Sequence, residues 1–302
     1  MRAIVYDRFG GPEVLHLAEV EEPTPGAGQV QIRVRTAGVN PVDAKQRRGD
    51  FAAAVPARFP QRLGNEYAGV VAALGAGVTG LAVGAEVFGS ATGQCYAEAV
   101  VVDATEVVAK PPEMPWQIAG TLSAVGQTAY TALNALDVQP GDTLLVHAAA
   151  GGVGSIAVQL ARQRGAAVIG TASAGHHDYL RSLGVTPVSY GPGLAERIAL
   201  LAPDGIDAAL DLVGGDAIST SLALVNDRDR IGTTVDAEAV RSYGIQRLGA
   251  RSTAALLELA TLCSHGLLTL SIEAAYPLAE AERAHEHIET GHVKGKIALL
   301  VG

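Results

Sequence analysis

The chain has 302 residues, 48% of them hydrophobic, enough for a sizeable core and about two domains. Its net charge of −9 argues against the basic stripe that a nucleic-acid binder needs, and against docking on an anionic membrane surface. The only two cysteines, Cys95 and Cys263, can build neither a disulfide framework nor a four-cysteine zinc site, which points to a reducing cytoplasm. In chain order, "MRAIVYDRFG" breaks its apolar run with charge too early for a signal peptide, and no later segment reaches the roughly 18 apolar residues of a membrane span. Up to about residue 110 the sequence reads as short strands between turns: "AIVY", "VQIRVRTAGV", "YAGVVAALG", "AEVFG" and "YAEAVVV". From about residue 115 each strand is followed by a helix: "DTLLVHAA" by "GSIAVQLARQRG", "AAVIGTAS" by "HHDYLRSLG", "TPVSY" by "GLAERIALLA", "IDAALDLVG" by "DAISTSLALV". Such alternation predicts β-α-β units and a doubly wound parallel sheet. After about residue 252 come the helix "STAALLELATLCSHG", the helix "AEAERAHEHIETG" and a last strand "GKIALLVG".

The stretch "HAAAGGVGSIAVQL", residues 147–160, carries the first specific signal. A pyrophosphate needs close backbone approach, free N–H donors and a positive helix end, so glycines belong between a strand end and a helix N-terminus. Gly151, Gly152 and Gly154 stand at that junction, although Ala149 occupies the place of the first glycine in the usual fingerprint. An NAD site would carry an acidic residue about 20 positions further on, accepting from the ribose 2′-hydroxyl. Here that stretch is "GTASAGHHDYL", with Thr171 and Ser173 in place of the acid. With no carboxylate to repel a 2′-phosphate, Ser173, His176, His177 and Tyr190 form a set of donors that favours NADPH, although Asp178 lies close by in sequence.

Several co-linear motifs resemble the zinc-independent quinone oxidoreductases of the medium-chain dehydrogenase/reductase superfamily. They are "AGVNPVDAKQRRG" (37–49), "LGNEYAGVVAALGAGV" (63–78), "GTLSAVGQTAYTAL" (120–133), "VHAAAGGVGSIAVQLA" (146–161), "DLVGG" (211–215) and the closing "GHVKGKIALLVG". The resemblance implies an α/β architecture in which a Rossmann doubly wound parallel sheet is inserted in a GroES-like β-barrel domain. Residues 1–114 would form the GroES-like catalytic domain, completed by 266–302, and 115–265 the Rossmann NADP(H)-binding domain, with substrate in the cleft between them. In that family an "AAxGGVG" turn replaces the first glycine by alanine.

Zinc-dependent relatives place a cysteine and a histidine where this chain has Asn40 and Asn65, neither a competent zinc ligand here, so no catalytic metal is expected. Without a Lewis acid, ordinary alcohol dehydrogenation gives way to hydride transfer onto an acceptor activated by conjugation, a quinone or an α,β-unsaturated carbonyl. The protein need add only a donor beside the carbonyl oxygen, and Asn40 and Lys45 are the candidates. By resemblance the cofactor touches Gln127, Thr128, Gly151, Gly152, Val153, Val213, Thr233 and Lys296, and Tyr190 contacts the 2′-phosphate. Many relatives carry an arginine or lysine soon after the "TAS" strand, and this chain does not.

Other readings of the sequence are an enoyl reductase on a dedicated, carrier-tethered intermediate, and a non-catalytic dinucleotide-binding protein. "VRSYGIQRLGARS" offers an edge strand for a homodimer. In "HEHIETGH", His285, His287 and His292 invite a metal, but i and i+2 positions face apart on a helix, and the segment reads as a solvated amphipathic helix. Cys95 reads as a small buried hydrophobe.

Overall fold

A computed structural model describes residues 1–53 and 57–302. The first part of the chain forms β1 (Arg2–Tyr6), β2 (His16–Glu19), β3 (Gln29–Val39), helix α1 (Pro41–Arg48), β4 (Gln61–Arg62), β5 (Glu66–Leu74), β6 (Glu86–Ser90), β7 (Ala99–Asp103) and β8 (Val108–Ala109). The long helix α2 (Trp116–Ala135) leads to the alternating segment: β9 (Thr143–Val146), α3 (Gly152–Gln163), β10 (Ala167–Ala172), α4 (His177–Ser182), β11 (Thr186–Ser189), α5 (Leu194–Leu201), β12 (Ala208–Asp211), α6 (Asp216–Leu224), β13 (Ile231–Thr233), α7 (Ala237–Tyr243) and β14 (Gln246–Arg247). Helix α8 (Thr253–Ser264), β15 (Ile272–Pro277), α9 (Ala281–Glu289) and β16 (Lys296–Leu300) close the chain.

The described residues form two compact units, one of Met1–Ala124, Leu256–Leu267 and Ser271–Gly302, the other of Val125–Ala255 and Leu268–Leu270. The division falls within α2 and within α8, about ten residues from 114 and from 265.

In the first unit β3 is the hub, pairing antiparallel with β5, β7 and β16, while β1, β2 and β4 make a separate three-stranded sheet. Eleven residues long, β3 alternates Val30, Ile32 and Val34 inward, and these pack with Leu63, Tyr67, Val87, Val100, Ile297 and Leu299 in one core. Each such side chain, fully buried, contributes about 1.5–3 kcal/mol. Because β16 pairs with β3 through Ile297↔Val39, the last strand of the chain lies beside the start of α1.

The second unit has six parallel strands in the order β11-β10-β9-β12-β13-β14. Counted from β9 this is 3-2-1-4-5-6, whose reversal between β9 and β12 marks where a ligand binds at the strands' carboxyl ends. Leu144, Leu145 and Val146 of β9 and all of β12 ("AALD") are continuously buried, as parallel strands covered on both faces must be.

Candidate functional site

At the carboxyl end of β9 the chain turns through Ala148, whose φ of 54° is left-handed, and enters α3 at Gly151. Ala149 needs no glycine: it is buried, donates its N–H to the Thr171 carbonyl at 2.9 Å, and packs on Gly170, where a Cβ would come within 2.7 Å of the alanine's own. Gly154 is required by packing, since a Cβ there would lie 2.5 Å from the Ala148 carbonyl oxygen. No side chain caps α3, so the N–H groups of Gly152 and Val153 lack an intrahelical acceptor and the dipole's positive end is uncovered. A pyrophosphate fits that donor set.

The ends of β10 and β11 lie in register, Ala172 opposite Ser189, and Ser173 and Tyr190 are the residues that follow each strand. Ser173 Oγ is 3.4 Å from His176 Nδ1 and Ser189 Oγ is 3.4 Å from His177 Nε2, while Tyr190 is exposed. The carboxylate nearest in sequence, Asp178, is 97% exposed and ion-paired with Arg181 at 2.6 Å. This strand end therefore presents hydroxyls and imidazoles.

Across the switch point, Asp211 is fully buried and accepts from the N–H groups of Val213 and Gly214 at 3.0 and 2.8 Å, which leaves the Val213 side chain exposed. Thr233 is also fully buried. Its hydroxyl donates to Asp211 at 2.6 Å and accepts from the N–H groups of Val235 and Asp236, so it shapes the two loops. Gln127 is buried and accepts from Ser252 N–H at 2.7 Å; Thr128 is half-buried on the same helix.

In the first unit a buried polar chain starts at Lys296. Its ammonium has three N–H donors and meets three acceptors: the Val39 carbonyl (2.7 Å), Asn40 Oδ1 (2.5 Å) and Glu66 Oε1 (2.9 Å). Lys296 is thereby held by three groups of its own unit, two through hydrogen bonds and Glu66 through an ion pair. Asn40 donates Nδ2–H to the same Glu66 oxygen at 2.9 Å, and Glu66 Oε2 accepts from Ala124 N–H at 2.7 Å. Gly38 makes room, because a Cβ there would fall on the Glu66 carboxylate.

Asp43, three residues into α1, accepts from Asn40 N–H (2.9 Å), Asn65 Nδ2 (2.6 Å) and Tyr96 OH (3.0 Å). All three partners donate, so the geometry needs an ionised carboxylate, while complete burial opposes ionisation and pushes its pKa up to about 6. Beyond Tyr96 the chain continues to His285 Nε2 (3.3 Å), Arg47 Nη1 on His285 Nδ1 (3.1 Å) and Glu289 on Arg47 Nη2 (2.8 Å). Since arginine only donates, Nδ1 accepts and Nε2 carries the proton, which fixes the tautomer. Burial, with Arg47 adding to it, depresses His285 to about 3.

Lys45 is half-buried on α1, and among the described residues its ammonium has no hydrogen-bond or ion-pair partner. The other cations of "KQRR" are compensated: Arg47 by Glu289, Arg48 by Glu289 and Asp50. Asn40, 6% exposed, is largely committed to Glu66 and Lys296.

These residues do not fit a zinc ion. The amides of Asn40 and Asn65 are engaged with Glu66 and Asp43, an ammonium stands beside them, and among the described residues no three His, Cys, Asp or Glu side chains are placed to share a metal. His285 corrects the reading of "HEHIETGH" as a solvated helix: it is fully buried, whereas His287 pairs with Glu273 at 3.0 Å. Cys95 is buried, with Sγ donating to the Ala91 carbonyl.

Sequence reasoning missed Asp43, Glu66, Tyr96, Arg47 and His285. One signal was present: Ala281, Ala284 and Ile288 stand 4, 1 and 3 positions from His285, which places the imidazole on the apolar face of α9.

Comparison with known proteins agrees with this architecture. Residues 26–112 match the alcohol dehydrogenase GroES-like domain and 183–299 the zinc-binding dehydrogenase model. The chain is 30% identical to a quinone oxidoreductase of Pongo abelii, over all of this chain and 98% of that one. It is 34% identical to the pikromycin polyketide synthase component PikAII of Streptomyces venezuelae, but spans only 8% of that protein. Among solved structures, the quinone oxidoreductase of Coxiella burnetii superposes with a TM-score of 0.90 at 34% identity, covering 100% of this chain and 99% of that one. The Escherichia coli quinone oxidoreductase complexed with NADPH gives 0.88 at 26% identity, covering 99% and 100%. The CurK enoyl reductase gives 0.89 at 25%, covering 100% and 99%. The chain belongs to the medium-chain dehydrogenase/reductase superfamily of nicotinamide-dinucleotide oxidoreductases. It is an oxidoreductase with a GroES-like unit and a Rossmann unit. No helix among the described residues is long and apolar enough to cross a membrane.

Proposed function

We propose that this protein is an NADPH-dependent, zinc-free reductase of quinones or α,β-unsaturated carbonyl compounds. The observation that carries the reading is the uncompensated ammonium of Lys45 beside a set of residues that cannot hold zinc. When bound, NADPH supplies the hydride. Gly151, Gly152 and Val153 would hold its pyrophosphate on the uncapped turn of α3, with Gln127, Thr128 and Val213 lining its path, and Ser173, His176 and Tyr190 would receive the 2′-phosphate.

As negative charge gathers on the substrate's carbonyl oxygen, Lys45 offers a cation to it, and the Asn40 Nδ2–H that makes only a long 3.5 Å contact with the Gly38 carbonyl is a second donor. Asp43 holds the Asn40 main chain and Lys296 its side-chain oxygen, so α1 starts in one fixed geometry. The proton that completes the product comes from solvent or from Lys45.

A second reading, an enoyl reductase working on a biosynthetic intermediate, draws support from the similarity to a polyketide synthase component and to the CurK enoyl reductase. Stopped-flow NADPH oxidation with 1,4-benzoquinone, a short enone and a crotonyl thioester separates the readings. Turnover of the first two supports the generic reductase, thioester turnover alone selects the second reading, and no turnover with any acceptor refutes both. We further propose a cytoplasmic homodimer in which β14, the edge of the parallel sheet, pairs with its copy; light scattering at monomer mass would refute it.

A further inference from the structure

The carboxyl end of β11 carries a cation that no carboxylate neutralises. Arg197, half-buried on α5, donates Nη2–H to the carbonyls of Ser189 (2.8 Å) and Gly191 (3.3 Å) and Nη1–H to that of Pro192 (2.6 Å). Its Nε–H is buried without a hydrogen-bond partner. Among the described residues it forms no ion pair: its sequence neighbour Glu196 is exposed and not paired with it, and Asp178 is taken by Arg181. Acidic residues outnumber basic ones in this chain, 31 to 22, so a partly desolvated guanidinium left without a carboxylate is a cost that stapling three carbonyls does not by itself explain. The three carbonyls belong to the segment Ser189–Pro192, which contains Tyr190, and Ser189 at its start pairs with Ala172, the residue before Ser173.

We propose that Arg197 is a positioning residue for the 2′-phosphate of NADPH: it fixes the Tyr190 loop and sets a positive charge beneath it, in place of the cation missing after β10. The inference rests on the reading of this strand end as the 2′-phosphate site. A dianionic phosphate ester is favoured by a fixed cation and by a tyrosine hydroxyl carried on a fixed loop, whereas a 2′-hydroxyl gains little from the charge. Discrimination between the two dinucleotides would then reside partly in a residue that the phosphate need not touch.

The test is binding of NADPH, NADH, 2′,5′-ADP and 5′-ADP by titration calorimetry to the wild-type protein and to Arg197→Gln and Arg197→Lys. The wild type should bind NADPH and 2′,5′-ADP at least tenfold more tightly than their unphosphorylated counterparts. In Arg197→Gln that ratio should fall at least fivefold, with NADH affinity within twofold of wild type. In Arg197→Lys, which keeps the charge, the ratio should lie between the two, and its salt dependence should stay closer to wild type than that of the glutamine variant. An unchanged ratio in Arg197→Gln, or equal weakening of both dinucleotides, overturns the role of Arg197 while leaving the 2′-phosphate site standing. A wild-type protein with no preference between the two overturns the site itself, and the proposal with it.

Discussion

His285→Gln tests the buried chain of the first unit through its acid sensitivity. In the folded protein His285 accepts from Arg47 and donates to Tyr96, which keeps it neutral down to about pH 3, whereas an unfolded histidine takes a proton near pH 6.5. A folded-state pKa depressed below the unfolded one contributes stability that is present above the unfolded value and lost as pH falls towards the folded value. Between pH 6.5 and about 3 the unfolded state binds one more proton at this site, so stability falls by about 1.4 kcal/mol per pH unit. From pH 6.5 to 4.5 that amounts to about 3 kcal/mol. Glutamine can accept and donate in the same positions, so at pH 7 the variant should lie within about 1.5 kcal/mol of wild type. His147, depressed to about 4 by burial, adds a slope of the same sign. Asp43, raised to about 6, works oppositely, its stabilising contribution being present at acid pH and lost as pH rises through 6. Both terms are common to wild type and variant and cancel in the difference. The assay is urea unfolding at pH 7.0, 5.5 and 4.5. The gap in unfolding free energy should move in favour of the variant by about 3 kcal/mol across that range; two proteins that lose stability in parallel would refute the assigned tautomer and the neutral state of His285.

Lys296→Met leaves Glu66 buried without its cation and should destabilise by about 3–5 kcal/mol in urea unfolding, and Glu66→Gln in the same background should recover part of the loss. Gly154→Val drives a branched side chain against the Ala148 carbonyl, so about 1–3 kcal/mol of stability and at least tenfold in dinucleotide affinity should be lost, as read by thermal melting and fluorescence titration. Lys45→Met should lower kcat/KM for a quinone by about 100-fold with dinucleotide affinity unchanged, measured by steady-state NADPH oxidation; an unaltered rate would remove Lys45 from the mechanism.

The parallel sheet was legible because strand and helix textures alternate over residues 143–247, and because the glycines of α3 follow "TLLV" directly. The two-residue strands β4, β8 and β14 leave no periodic trace, since two positions cannot establish an alternation. In the site, the missing zinc ligands could be read at Asn40 and Asn65, and the spacing from Asn40 to Asp43 is that of a helix start. The destination of Lys296 could not be read, because its partners lie more than 200 positions away and meet it only when β16 joins β3. His285 was hidden differently: its charged neighbours suggested a solvated surface, and only the 3–4 spacing of Ala281, Ala284 and Ile288 reveals the buried face. The alanine of "HAAAGGVG" proves to be a packing residue, and the unusual backbone falls one position earlier, on Ala148.

The proposed reaction is a metal-free reduction driven by NADPH. The most direct measurement is the rate of quinone-dependent NADPH oxidation before and after exhaustive treatment with a strong chelator, with zinc content determined on both samples. The predicted result is substantial turnover that chelation leaves unchanged, at a zinc content far below one ion per chain. Activity that disappears with the metal and returns on adding zinc would contradict it.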